Sequence, residues 1–167
     1  MKILHVITSM RQAAGTSVFC GEICNELVAR GHQVAIAVRE VGVDRYPVDS
    51  RVEFRSIASL VDGNIASEWD VVHIHALWEL DLHKMAIWAQ KHCLPIVWSP
   101  HGMLTPWAMN NKRWKKMAAW WLYQKRDLSR AAILHATAQS EVEDLRRLGL
   151  NNKIIVAPLG VKSPASE

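Results

Sequence analysis

The chain has 167 residues, which is enough for one domain with a single hydrophobic core. Half of the residues are apolar and 22% are charged, as in ordinary soluble proteins, and no apolar run approaches the roughly 18 residues of a membrane-spanning helix. The net charge of +4 is too small to indicate nucleic-acid binding by itself. The three cysteines lack metal-type spacing and the amino terminus is typical of a strand rather than a signal peptide, so we expect reduced thiols and a cytoplasmic location.

Hydrophobic periodicity predicts strands that alternate with helices. In chain order the predicted elements are strand 2–8, helix 16–30, strands 34–38 and 52–54, helix 57–67, strand 70–75, helix 81–91, strand 95–99, helix 111–128, strand 131–137, helix 140–147 and strand 153–157. This order is typical of α/β proteins, so we expect a single Rossmann-like, doubly wound, mostly parallel sheet with helices on both faces. The domain is expected to span residues 1–161, with a flexible polar tail over residues 162–167.

The loop after the first strand has the outline of a phosphate site. Gly15 lies just before the first helix, where free amides and the helix dipole favour an anion, and Thr16 or Ser17 would cap that helix. The dinucleotide motif G-x-G-x-x-G and the P-loop motif are both absent from the sequence. The alternative is a turn that needs a small residue and binds nothing.

His73 and His75 alternate along a predicted strand and therefore share one face. Such a pair can bind a metal ion, but no third ligand is evident nearby in the sequence, and we expect no metal site. We expect His73 to be buried with a polar partner and His75 to face the cleft at the carboxyl end of its strand. Trp78, in the next loop, would form a wall for the apolar face of a sugar, or else belong to the core.

His101 follows the predicted strand 95–99 and stands between Pro100 and Gly102, which both interrupt regular structure. In an open α/β sheet the carboxyl edge of the strands is where ligands bind. An imidazole held there can donate or accept a hydrogen bond near neutral pH. The alternative is a histidine that only satisfies a carbonyl group of the turn.

The predicted helix 111–128 is rich in basic and aromatic residues. Its core face is expected to carry Trp114, Met117, Ala118, Trp121 and Leu122. Trp120 would instead lie on a basic face with Arg113 and Lys116, as suits an anionic membrane surface or an anionic acceptor. The alternative is a solvated basic face with Trp120 packed under a neighbouring loop.

Together these motifs are similar to those of a known enzyme family. The segments that carry the similarity are 1–7 with the Gly15 loop, 26–34, 70–78, 99–107, 134–138 and 158–161. The sequence resembles the N-terminal, acceptor-side domain of the family 4 retaining glycosyltransferases, which have the GT-B fold. The stretch HGMLTPW over residues 101–107 is the most specific part of the resemblance.

The resemblance implies roles for residues at the cleft. His101 would touch the transferred sugar and act in catalysis, while Gly15 and Thr16 would approach the diphosphate of the donor. Residues on the acceptor or sugar side would be His75, Trp78, Gly102 and Met103. Transfer would retain the anomeric configuration without a metal or other cofactor, and the nucleotide-sugar would be a co-substrate.

The sequence departs from the family pattern in two loops, and it lacks the glutamate pair of the family's donor domain. Ala14-Gly15 replaces the usual glycine pair, and Leu159 replaces the asparagine of the family's Pro-Asn-Gly-Val exit. The family's donor domain carries two glutamates separated by seven residues, and no pair here has that spacing. We therefore expect the C-terminal donor domain to be absent and the chain to be inactive alone, as a truncated domain or one subunit of a split enzyme.

The predicted function is that of the acceptor-side half of a hexosyltransferase in polysaccharide biosynthesis. The whole enzyme would transfer a sugar from a nucleotide-sugar to a glycan or lipid-linked acceptor. A separate donor domain would be its partner, and we expect no binding of nucleic acid. The enzyme would be in peripheral contact with the inner face of the membrane. The alternative is a non-catalytic module that keeps the fold and binds a membrane surface or a partner.

Overall fold

The computed structural model describes residues 1–12, 14–40, 45–63 and 68–158. The strands in this part of the chain are β1 Lys2–Val6, β2 Gln33–Val38, β3 Glu53–Ser56, β4 Val71–His75, β5 Ile96–Ser99, β6 Ile133–Ala136 and β7 Lys153–Val156. The helices are α1 Gly15–Ala29, α2 Ile57–Asp62, α3 Leu80–Lys91, α4 Pro106–Asn110, α5 Arg113–Ala119, α6 Lys125–Ser129 and α7 Gln139–Arg147, with a π-helical turn Trp120–Gln124 between α5 and α6.

The strands form one sheet in the order β3-β2-β1-β4-β5-β6-β7, and every pair of neighbours is parallel. The prediction of a Rossmann-like α/β sheet is therefore confirmed. The strand order reverses between β1 and β4, and in such sheets the crevice for a ligand opens at the carboxyl ends of the strands on either side of the reversal. The loops after β1, β4 and β5 lie at that edge.

Helices cover both faces of the sheet, because successive side chains of a strand point to opposite faces. On one face Leu4 and Val72 belong to a core that includes Met85 of α3. On the other face Ile36 belongs to a second core with Cys20 and other residues of α1. The inner strands are buried on both faces, as their continuous apolar runs predict, whereas the edge strands β3 and β7 are mostly exposed.

The α1 face of the central strands carries a row of polar side chains near the carboxyl edge. Strand pairing sets His5 of β1 beside His73 of β4, and His75 of β4 beside Ser99 of β5. β5 pairs with β6 up to Trp98 and Leu134, and the next residues, Ser99 and His135, are in hydrogen-bonding contact. Parallel register thus brings together residues that are up to 130 positions apart in the sequence.

The segment predicted as one helix over 111–128 differs most from expectation. A separate helix, α4, precedes it, and Lys112 has a left-handed backbone with a φ of 52° between α4 and α5. From Arg113 onward the chain stays helical to Ser129, with the π turn inside. The predicted helix 57–67 is α2, which ends at Asp62, and residues 64–67 lie outside the described part of the chain.

The predicted tail 162–167, Leu159 and the end of the domain at Val161 also lie outside the described residues. Among the helices that the structure describes, none combines the length and the apolar character that crossing a bilayer would require.

Candidate functional site

Two tight turns follow β4 and β5 at the carboxyl edge of the sheet. Ala76 and Trp78 have φ values of 69° and 75°, and His101 and Gly102 have φ values of 55° and 70°. Residues other than glycine rarely adopt this left-handed conformation, and where they do the surrounding structure must hold them there. The turn conformation of His101 is therefore imposed by its contacts.

His101 ends a chain of three imidazoles that runs from the core to the cleft. Nδ1 of His5 lies 3.0 Å from Nε2 of His75, and Nδ1 of His75 lies 3.1 Å from Nε2 of His101. His5 and His75 are completely buried, whereas His101 is half-buried. Phe19 of α1 packs edge-on against His101, with ring centroids 5.0 Å apart, so His101 lies on the same edge as the start of α1.

A second polar chain runs beside the first. Nε2 of His73 and Nδ1 of His135 each lie 2.7 Å from the hydroxyl oxygen of Ser99. Nε2 of His135 is 2.9 Å from the carbonyl oxygen of Ala157, to which it donates a hydrogen bond. The prediction that His73 is buried with a polar partner is confirmed, and that partner is Ser99.

Burial keeps the imidazoles of His73, His75 and His101 neutral. It lowers the pKa of His73 and of His75 well below the ordinary 6.5, and neighbouring imidazoles lower both further. Burial also lowers the pKa of His101 to about 4; the Glu141 carboxylate opposes this shift and His135 adds to it. At neutral pH the rings of His73, His75 and His101 therefore each have one N–H donor and one acceptor nitrogen.

Glu141, in the first turn of α7, holds the His101-Gly102 turn in place. Its Oε1 accepts a hydrogen bond of 2.7 Å from the amide of Gly102, and its Oε2 accepts two more from the amide and hydroxyl of Thr137, at 2.8 and 3.0 Å. The side chain is only 4% exposed. The sequence does not predict this contact, because Gly102 and Glu141 are 39 positions apart and nothing in their spacing shows that they meet.

The two glycines predicted to approach a ligand have free space beside them. A Cβ atom added at Gly15 or at Gly102 would meet nothing within 4 Å. Gly15 begins α1, and no side chain in the described part of the chain caps that helix end. Thr16 and Ser17 therefore do not act as caps: Thr16 is half-buried, and the hydroxyl of Ser17 donates to the carbonyl of Ser9 at 3.2 Å.

Of the residues predicted on the acceptor or sugar side, His75 does not face the cleft. It is covered by His101 and Phe19, with no exposed surface, and so supports His101 from below. Trp78 is half-buried; Gln124 accepts a hydrogen bond of 2.9 Å from its amide. Met103 is also half-buried and packs against the core.

The prediction that Trp120 lies on an exposed basic face is wrong, because its side chain is only 4% exposed. The helix turns Trp120 inward together with Gln124 and Asp127, whose side-chain oxygens have partners: the amide of Trp78 donates to Oε1 of Gln124, and Nδ1 of His83 lies 2.6 Å from Asp127. A prediction that looks only for apolar residues misses this buried side of the helix, because polar side chains with hydrogen-bond partners can also belong to the core.

The opposite side of the same helix is exposed and apolar. Trp114, Trp121 and Leu122, predicted in the core, are 73%, 70% and 75% exposed. Of the predicted basic residues, Arg113 is exposed, whereas Lys116 is half-buried and donates to the carbonyl of Ala108.

Two groups of side chains in the described residues could hold a metal ion. One consists of His5, Cys20 and Cys24, and the other of His5, His73 and His75; within each group the donor atoms lie within 4.8 Å of one another. Both cysteines are buried free thiols, as predicted. The hydrogen bond from Cys24 lowers the pKa of Cys20 to about 6, and the same pairing raises the pKa of Cys24.

The sequence matches a model of a known protein family. A model described as Glycosyltransferase Family 4 matches residues 13–163. No curated protein sequence matches the chain.

The fold is similar to halves of larger solved structures. HepE of Anabaena, in complex with UDP and glucose, matches with a TM-score of 0.69 and 15% identity, over 96% of this chain and 45% of that chain. A putative UDP-N-acetylglucosamine 2-epimerase from Listeria monocytogenes matches with a TM-score of 0.55 and 12% identity, over 93% and 43%. A ugt transferase from Siraitia grosvenorii in complex with UDP matches with a TM-score of 0.53 and 11% identity, over 99% and 49%.

At these identities the likeness to solved structures concerns the fold alone, and the chain spans less than half the length of each of those proteins. The match to the family model, in contrast, extends over most of the sequence and includes both turns of the candidate site. This chain belongs to glycosyltransferase family 4, and its sheet is the Rossmann-like, N-terminal half of a GT-B fold.

Proposed function

We propose that this chain forms one wall of the active-site cleft of a retaining glycosyltransferase, with His101 against the transferred sugar. The enzyme would move a hexose from a nucleotide-sugar to a glycan or lipid-linked acceptor in polysaccharide biosynthesis. The observation that carries the proposal is the His101-Gly102 turn, which Glu141 and His75 hold in a left-handed conformation at the carboxyl edge.

The neutral imidazole of His101 suits contact with a sugar. A neutral ring hydrogen-bonds to a hydroxyl group without placing a full positive charge beside the forming oxocarbenium-like centre. Because the ring is already held by His75, little reorganisation is needed when the substrate binds. The amide of Gly102 already donates to Glu141, so that amide serves the turn rather than the ligand.

The start of α1 suits the donor diphosphate. Its first amides have no side-chain cap in the described residues, and the positive end of the helix dipole favours an anion. The open space beside Gly15 allows a phosphate to approach the backbone. This contact would need no metal ion, in line with the sequence-based expectation of metal-free transfer.

A single wall does not surround a transition state. Groups that stabilise developing charge must be held on both sides of the reacting atoms. We propose that a donor-binding domain, in the same polypeptide or a separate one, supplies the second wall, and that these 167 residues turn over no substrate by themselves.

The binding half of the proposal is tested by NMR titration of the chain with UDP-glucose, chosen because the matching HepE structure holds UDP and glucose. Amide shifts are expected at Gly15, Thr16 and Gly102, and not at Gly31 or Gly149, which lie at helix ends on the opposite edge. Shifts confined to that opposite edge, or none at millimolar ligand, would contradict the assigned wall.

The catalytic half is tested by assaying sugar transfer from UDP-glucose with the chain alone and then with an added donor-binding domain of the same family. Transfer is expected only in the second assay. Rapid transfer by the chain alone would overturn the need for a second wall. A bound ligand without transfer in either assay would favour the alternative, a non-catalytic binding module.

We propose as a second function that the exposed aromatic surface docks on an anionic membrane and so brings the enzyme to a lipid-linked acceptor. This surface consists of Trp107, Trp114, Trp121 and Leu122. Lys115 lies 5.2 Å from the ring of Trp114 and Lys125 lies 5.4 Å from the ring of Trp121. Tryptophan interleaved with lysine suits the interface of an anionic bilayer. A location at the inner face of the membrane is part of this proposal.

Vesicle sedimentation tests the docking surface. Binding to phosphatidylglycerol vesicles is expected, with much weaker binding to phosphatidylcholine and loss at high salt. Trp121→Ala should weaken binding and Ile87→Ala, an exposed apolar change on α3, should not. Equal binding of both variants would exclude the surface as the docking site.

A further inference from the structure

A group of soft metal ligands lies in the interior between α1 and β1, away from the cleft. Cys20 and Cys24 are one helical turn apart on α1, and both lie close to His5 of β1. All three side chains are completely buried. One donor atom from each lies within 4.8 Å of the other two, whereas a zinc site of this type needs donor atoms about 3.5–3.8 Å apart. Modest rotation of the side chains closes that gap.

The free nitrogen of His5 points to a ligand. Its Nδ1 is paired with His75, whereas its Nε2 is buried and, among the residues that the structure describes, has no partner at full hydrogen-bonding distance; the polar group that interacts with this ring is the thiol of Cys20, itself a proposed ligand. Buried polar atoms are almost always partnered, because burying them unpaired sacrifices their hydration. An imidazole nitrogen next to two thiols, in a core with no other partner for it, is the donor set of a thiophilic ion.

We propose that His5, Cys20 and Cys24 bind a zinc ion. Binding would deprotonate both thiols, so that two protons leave as two zinc–sulfur bonds form. The two thiolates then balance the charge of Zn²⁺, and the buried site is neutral. A monovalent ion with the same thiolates would leave a net negative charge in the core, which favours the divalent ion. These three side chains form one group of donor atoms, and His73 belongs to a separate group with His5 and His75, so we assign three protein ligands to the ion.

A zinc ion at His5 would also set the direction of the imidazole chain. With Nε2 bound to metal, Nδ1 of His5 carries a proton and donates to Nε2 of His75. His75 then donates from Nδ1 to Nε2 of His101, and the neutral His101 ring keeps its own proton on Nδ1. The zinc site stands without the proposed function; only the consequence for the cleft depends on it.

The test uses the purified chain with the exposed Cys93 replaced, C93S, so that the remaining thiols are the buried pair. After removal of metal with a chelator, the protein is titrated with Co²⁺, which reports thiolate ligation by charge-transfer absorption. The expected result is saturation at one ion per chain, displacement by Zn²⁺, and a rise in Tm with Zn²⁺. Adding Cys20→Ala or Cys24→Ala should abolish both the absorption and the rise in Tm.

The proposal is overturned if the C93S protein shows no thiolate charge transfer, or if the absorption survives in both alanine variants. If those variants fail to fold, measurements on the C93S protein alone still test whether zinc binds at this site. With Zn²⁺ present, alkylation of Cys20 and Cys24 in mild denaturant, located by mass spectrometry, should slow by at least tenfold. Equal alkylation with and without Zn²⁺ would count against the site. Nitrogen-15 shifts of His101 should report the Nδ1-protonated ring only in the zinc-loaded protein.

Discussion

At the scale of single residues, His101 and Glu141 contribute different things to the cleft. His101 presents a neutral ring, and Glu141 fixes the backbone that carries it through three hydrogen bonds. Only the first was evident from the sequence, because a histidine in a Pro-His-Gly turn after a strand is a local pattern. The contact of Glu141 with Gly102 spans 39 positions and requires β6 to lie beside β5.

Replacing His101 by alanine in the assembled two-domain enzyme is expected to lower kcat/KM by about 10²–10³, the usual effect of removing one preorganised polar contact with the reacting group. The free energy of unfolding should change little by comparison. His32→Ala, at the opposite edge of the sheet, is the matched control. Unchanged kcat/KM in the His101 variant would contradict the proposed role.

Glu141→Gln is expected to destabilise the chain by about 1–3 kcal/mol, because an amide has one acceptor oxygen where the buried carboxylate uses two. Urea unfolding measures this effect, and the amide resonance of Gly102 should shift. Glu143→Gln, an exposed carboxylate two residues further along the same helix, should change the free energy of unfolding by less than about 0.5 kcal/mol. Similar effects of both changes would rule out a positioning role for Glu141.

At the scale of elements, the segment from Arg113 to Ser129 shows where periodicity is ambiguous. Both sides of the helix carry tryptophan, so either could face the core. The structure buries Trp120 and exposes Trp121, because the inward side also carries Gln124 and Asp127, whose partners lie on the loop after β4 and on α3.

Replacing Trp120 and Trp121 by alanine, one at a time, shows which side of the helix is buried. Trp120→Ala removes a buried indole and should cost about 3–5 kcal/mol of unfolding free energy. Trp121→Ala removes a ring that is 70% exposed, so the cost should be within about 0.5 kcal/mol. Chemical denaturation of the two variants measures both, and the opposite ranking would show that the helix packs the other way round.

At the scale of the whole molecule, the buried imidazoles couple folding to pH. The folded-state pKa values of His73, His75 and His101 lie below 6.5, the last at about 4. Between these values and 6.5 the unfolded chain binds more protons than the folded one, so stability falls as pH is lowered. Above about pH 7 this contribution is fully present, since both states are then neutral at these sites.

Urea unfolding across a pH series should therefore show a falling free energy of unfolding from about pH 6.5 toward about pH 4. His101→Gln should flatten part of that fall, because the variant has no group to titrate there. A free energy of unfolding that stays constant over this range would mean that the imidazoles are not buried as neutral rings.

The sequence by itself determined the order of the elements, the parallel sheet and the turn that carries His101 to its carboxyl edge. These features follow from local patterns of apolar residues and from proline and glycine, which act within a few positions of themselves. Tertiary structure alone decided which side of the helix from Arg113 to Ser129 is buried, how Glu141 reaches Gly102, and that His5 meets Cys20. Those outcomes depend on strand register and on the burial of polar groups with distant partners, neither of which a local pattern contains.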